Sequence, residues 1–382
     1  MNAAPISADS LQSRSRWIVG PVYDLTFFST LWLPPLLVLA LGGFSGLAGF
    51  EFGAGFFVLW IYHLFIRLPH FAAMFRVTYL RANQLQHYRE HWVAYFVIPL
   101  AIIGIYAWPL ATPDGYGSPL GFALTTAGYL WGYQHIGMQN YGVLQIYRLR
   151  SDVREPAHWP WLEKSIFYAI IVSVCVSNHL APVVRFAGWG WIGSANAELA
   201  SLVFLAAAGA LLLVYLGQLM RLGGLRTPAV LYLLISAVAM VRWPFYDALP
   251  AGSWFLVFNG HHSVAYLGLL FLMTWNDKYP DRPLTASEGV REYAKFFAPL
   301  VVFALLLILV AATYQRTRVT AGYEAPGTGS LEALLGFFVA HYYVESKVWR
   351  FRRGFNRRTT LPLLKRPGTR TEKGKAEIPG GP

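Results

Sequence analysis

The chain has 382 residues, 55% of them hydrophobic and 16% aromatic, and only 13% are charged, against ~25% in an ordinary soluble domain. With a mean hydropathy of +0.42, that composition excludes a soluble globular protein and a disordered one, and it points to a polytopic membrane protein. The net charge of +12 requires no nucleic acid, because the basic residues map onto one membrane face.

The apolar runs are continuous rather than alternating, so they predict an all-α bundle and not a β-barrel. Residues 1–24 form a polar N-terminal segment carrying Arg14 and Arg16, without the apolar core of a signal peptide. Ten spans follow within a transmembrane domain over 25–352. The first, about 25–48, carries Pro34-Pro35, where a kink is expected. The second, about 52–79, holds His63, Arg67 and His70, and the third covers about 92–111. The fourth, about 118–146, holds His135, Gln139 and Asn140, and the fifth, about 164–187, holds Cys175 and His179. The sixth and seventh cover about 197–220 and 227–246. The eighth, about 252–275, holds the adjacent pair His261 and His262. The ninth covers about 294–314, and the tenth, about 330–352, holds His341 and Glu345. Residues 353–382 are basic and rich in Pro and Gly, which predicts a disordered tail lying against anionic lipid head groups.

With the N-terminus in the cytoplasm, 26 of the 31 Lys and Arg fall on cytoplasmic segments and four on the other face, leaving Arg67 inside the membrane. This loop-by-loop alternation supports ten spans with both termini cytoplasmic, in a bacterial inner membrane.

Topology then assigns depths. His63, His70, His135, His261, His262 and His341 occupy one slab from the midplane towards the cytoplasm, with Glu345 one turn deeper than His341. His179 falls in the outer half, apart from them. A lone membrane histidine is more often a packing hydrogen bond than a ligand, but six in one slab predict a metal site. His63, Arg67 and His70 share a helical face at i, i+4, i+7 spacing, and His341 and Glu345 at i, i+4 offer a nitrogen and an oxygen to one ion. Pro69 removes a backbone donor and predicts a kink beside His70. Imidazoles with few carboxylates suit Fe, Zn, Cu or Ni rather than Mg or Ca. The metal ligands expected are therefore these six histidines and Glu345. Arg67 and Glu345 are the candidate catalytic groups, and His87, His91, Gln139 and Asp24 are additional candidates. The expectation is one or two transition-metal ions, iron foremost, in an oxygen-dependent oxidoreductase. It would act on a lipid-like substrate and draw on an electron-donor protein. The alternatives are a haem b electron carrier, a metal or proton transporter, and a scaffold subunit of a membrane complex.

The stretch His341-Tyr342-Tyr343-Val344-Glu345-Ser346-Lys347-Val348-Trp349-Arg350, with His261-His262-Ser263 upstream, resembles a signature of uncharacterised bacterial multipass membrane proteins. Their pattern is His-Tyr-x-x-Asp-x-x-x-Trp-Lys/Arg, and Glu345 stands here in place of the Asp. That resemblance implies a membrane bundle and lends no activity. Histidines dispersed over several membrane helices also look like those of non-haem iron carotene dioxygenases. Membrane desaturases and hydroxylases gather histidines at the cytoplasmic edge, although no His-x-x-His-His box occurs here. These resemblances imply the class of a membrane histidine–metal protein.

Overall fold

The structure is a computed structural model that describes residues 17–30, 61–79, 82–111, 118–148, 159–180, 183, 194–221, 228–241, 253–280, 282–320, 334–349 and 358–364. Among the described residues all regular structure is helical and no strand occurs. Helix α1 (Pro21–Asp24) runs into a π turn at Leu25–Ser29. Helix α2 (Leu68–Tyr79) follows a π turn at His63–Arg67, and α3 is Ala82–Glu90. Helix α4 (Ile98–Ala107) follows a π turn at Val93–Val97, and α5 is Pro119–Arg148. Helix α6 (Trp159–Cys175) ends in a π turn at Val176–Leu180. Then come α7 (Ser194–Arg221), α8 (Pro228–Met240), α9 (Ser253–Lys278), α10 (Ala286–Thr320) and α11 (Leu335–Val348). The Pro34-Pro35 kink and most of the basic tail lie outside the described residues.

Three of the π turns end two residues before a proline: Pro69, Pro99 and, in the sequence, Pro182. A proline cannot donate to the carbonyl four residues back and its ring collides with it, so the preceding turn widens. At the first, the Leu68 N–H reaches back five residues to His63 O. The kink expected at Pro69 therefore takes the form of a wide turn.

Helix α9 is the pivot of the bundle. From Val257 to Asn276 every residue is buried except the half-buried Thr274, as befits a helix surrounded on all sides. It packs against α2, α5, α8, α10 and the π turn after α1. The outer helices are the reverse. Leu199, Leu202, Val203, Leu213 and Val214 on α7, and Val302, Leu306, Leu309 and Val310 on α10, are largely exposed. Three stretches, Trp159–Leu180, Asn196–Arg221 and Ala286–Thr313, are long and apolar enough to cross a membrane. Contiguous exposed apolar surface on this scale is what lipid, not water, covers. Helices α5 and α9 are comparably long, but they carry the histidines, Asn and Gln of the interior.

A buried polar junction locks α5, α6 and α7. Glu163 has no exposed surface. Its Oε1 accepts from Tyr215 Oη at 2.7 Å. Its Oε2 accepts from Gln145 Nε2 at 3.0 Å and Arg148 Nη1 at 2.9 Å. Arg148, counted in the sequence among the cytoplasmic charges, is thus half of a buried ion pair that its neighbours fully satisfy.

Close helix approach also depends on glycine. A Cβ on Gly268 of α9 would stand 2.6 Å from Phe27 Cβ, and Gly268 O accepts from Tyr23 Oη at 2.6 Å. Gly268→Ala should cost about 1–3 kcal/mol of overpacking, read as a lower thermal midpoint in detergent. An unchanged midpoint would contradict this contact.

Candidate metal centre

Four helices converge on one point. Helix α2 contributes His70, α5 contributes His135, α9 contributes His262, and α11 contributes His341 and Glu345. One donor atom from each of His70, His135, His341 and Glu345 lies within 4.8 Å of the others, and all four residues are buried. Ring centroids are 4.8 Å apart for His70–His341 and for His70–His262, 5.2 Å for His135–His262 and 5.4 Å for His135–His341. Glu345 Oε2 is 2.8 Å from His135 Nε2 and 3.6 Å from His341 Nε2. The second, fourth, eighth and tenth expected spans therefore meet at a shared polar centre.

The hydrogen bonding there is incomplete in a directed way. Both ring nitrogens of His70, both of His341, and Nδ1 of His262 are buried with no hydrogen-bond partner. His135 Nε2 and Glu345 Oε2 approach closely without hydrogen-bond geometry. Each buried orphan of this kind costs about 1–3 kcal/mol, and each neutral imidazole keeps one nitrogen lone pair to offer. A cation at their midpoint would satisfy several at once. Three imidazoles and a carboxylate form a donor set that fits a transition metal.

The surroundings hold these rings in place. Tyr342 stacks on His135 at 4.5 Å and 29°. Phe71 meets the His341 ring edge-on at 4.5 Å and stacks on Phe338 at 4.6 Å. Gln139 Nε2 donates to Glu345 Oε1 at 3.3 Å. Tyr266 lies 4.7 Å from the His70 ring, and its hydroxyl accepts from Trp349 Nε1 at 2.8 Å. Tyr266 and Tyr342 were not among the residues singled out from the sequence as site residues. Tyr266 stands one turn after His262, and that i, i+4 spacing was the available signal.

Other expected site residues lie apart from the group. His261 is held by Thr30 Oγ1 on Nδ1 at 2.7 Å and by Ser236 Oγ on Nε2 at 3.0 Å, so neither nitrogen is free for a metal. Its neighbour His262 turns about 100° away around α9 and faces the centre. Thr30 reaches His261 from a left-handed backbone, φ 49°. His63 is buried but outside the group, because the wide turn His63–Arg67 rotates it off the face it would share with His70 in a regular helix. Arg67, expected to pair with Glu345 or an anionic group, lies with its guanidinium 4.1 Å from the Phe338 ring. Asp24 is a local cap. It accepts from the backbone N–H groups of Ile18, Val19 and Gly20 and from the Tyr147 hydroxyl at 2.9 Å. His87, Glu90 and His91 form a separate group at the end of α3, with Glu90 and His91 exposed. His179 contacts Tyr133 Oη at 3.3 Å, away from the centre.

Beside the centre is a cavity of about 330 Å³. Glu345, His135 and Gln139 stand in its wall with Trp131, Met138 and Leu269.

His261→Ala should lower the thermal midpoint, by the equivalent of about 1–3 kcal/mol for the stranded hydroxyls, without altering metal content by elemental analysis. Loss of metal in that variant would contradict this placement. Comparison with known protein families, with curated proteins and with solved structures gives no match.

Proposed function

We propose that this chain is a ten-span inner-membrane protein with both termini cytoplasmic, and that its buried histidines hold iron for oxygen-dependent oxidation of a lipid-like substrate. The observation that carries the reading is the gathering of one donor atom from each of the buried His70, His135, His341 and Glu345 within 4.8 Å, with imidazole nitrogens of His70 and His341 unpartnered. His70, His135, His341 and Glu345 would hold one ion, with His262 beside them. Iron held in such a donor set would relay electrons to oxygen. The chain's own residues then have definite tasks. Gln139 orients Glu345, Tyr342 fixes the plane of His135, and Phe71 with Phe338 keeps water from the inner face. The cavity admits the substrate to the side lined by His135 and Glu345. In overall balance, one oxygen atom enters a substrate C–H bond and the other leaves as water, with two electrons from a donor protein and two protons.

The haem alternative fits poorly. Axial ligands must stand on opposite faces of a macrocycle, whereas the His70 ring meets those of His262 and His341 edge to face with centroids 4.8 Å apart. No slot for a porphyrin separates them.

Elemental analysis of protein expressed with added iron should find about one equivalent per chain, falling several-fold in His341→Ala and Glu345→Gln. Metal-free wild type would sink the reading. For the topology, a C-terminal green fluorescent protein fusion in a bacterial host should fluoresce, and a correctly inserted but dark fusion would contradict a cytoplasmic C-terminus.

A further inference from the structure

The cavity beside the centre has a chemical signature of its own. At about 330 Å³ it sits at the small end of ligand pockets, about 300–1,000 Å³, which is room for one chain and not for a two-chain phospholipid. Its apolar wall is built from Trp131, Met138, Val143, Ile146, Leu269 and Leu361. Among the described residues that line it there is no Lys or Arg, and the one group able to carry a full negative charge is Glu345. In the metal-free protein an anionic head would enter without a counter-ion and against a carboxylate, in a medium where such a charge is costly.

Three polar atoms of the wall are buried without a hydrogen bond: His135 Nε2 and Glu345 Oε2, which belong to the metal centre, and Gln139 Oε1, which does not. Gln139 donates its Nε2 to Glu345, and its Oε1 is buried without a hydrogen bond. An unsatisfied carbonyl oxygen needs a donor, which an alcohol has and an ester, aldehyde or carboxylate lacks. Gln145, also in the wall, is already committed to Glu163.

We propose that this cavity binds a neutral, single-chain aliphatic alcohol. Its hydroxyl donates to Gln139 Oε1 next to Glu345, and its chain lies along Trp131, Met138 and Leu269. This deepens the reading above by naming the substrate class, and it rests on that reading only in treating the cavity as the substrate site.

Gly142 gives a clean probe. It stands in the cavity wall, it is exposed, and a Cβ built there meets nothing within 4 Å. A side chain added there is compatible with the helix and projects at the cavity. Binding of 1-dodecanol and dodecanoate to the full-length protein, at a pH where dodecanoate is ionised, can be followed by native mass spectrometry, with iron measured on the same samples. The expected result for metal-free protein is one dodecanol per chain, with dodecanoate at least tenfold weaker and a two-chain phosphatidylcholine not competing. Gly142→Phe should weaken dodecanol at least tenfold at unchanged iron content. Gln139→Met should abolish the preference of dodecanol over dodecane. Dodecanoate binding metal-free protein as tightly as dodecanol does, competition by phosphatidylcholine, or full dodecanol binding in Gly142→Phe would overturn the proposal. Selective dodecanol binding by protein that takes up no iron would support the cavity assignment while the metal reading fell.

Discussion

The structure turns on the cost of burying imidazole and carboxylate groups in an apolar bundle. A buried polar group without a partner loses its hydration and gains nothing in return. At three other buried sites the protein avoids that loss. Glu163 accepts from three side chains, Asp24 from three backbone N–H groups and a tyrosine, and His261 is held at both ring nitrogens by hydroxyls. At His70, His135, His341 and Glu345 the same interior leaves donor atoms without hydrogen bonds, one from each residue within 4.8 Å of the others. Unmatched atoms also occur elsewhere, at His63 and Thr125, so the gathering of four buried donors in one place is the physical argument that something else completes this centre.

Helix α9 makes the contrast sharpest. His261 and His262 are neighbours with opposite fates, set by which helices flank each side. The side facing α8 and the turn after α1 supplies Ser236 and Thr30, and it makes His261 a structural residue. The side facing α2, α5 and α11 supplies only more imidazoles and a carboxylate. The π turn ahead of Pro69 performs a similar sorting on the second span, since it keeps His70 in the group and removes His63. The same backbone chemistry that makes proline awkward in a helix thus sets the composition of the centre.

Much of this was legible in the sequence. Hydrophobic run lengths place the helices, and the i, i+4 spacing of His341 and Glu345 correctly puts both on one side of α11. The depth argument anticipates which four spans must meet. The choice between His261 and His262 was not legible, because it depends on the rotation of α9 about its axis, which only packing fixes. His63 stands outside the group because the turn at His63–Arg67 is wide, which helical spacing in the sequence does not show. Asp24 looked like a spare carboxylate because its partners are backbone groups a few residues away, which carry no sequence signal. Arg148 and Glu163 belong to different helices, and nothing in either one's neighbourhood announces the pair. The cavity and the unmatched Gln139 oxygen are properties of packing alone.

The central claim is that one ion sits among these side chains, and the most direct test is X-ray absorption at the metal edge of the purified, iron-loaded protein. The account predicts a first shell of light N and O donors with the multiple-scattering pattern of three or more imidazoles and no sulfur. An edge showing fewer than two imidazoles, or a sulfur-dominated shell, would contradict it.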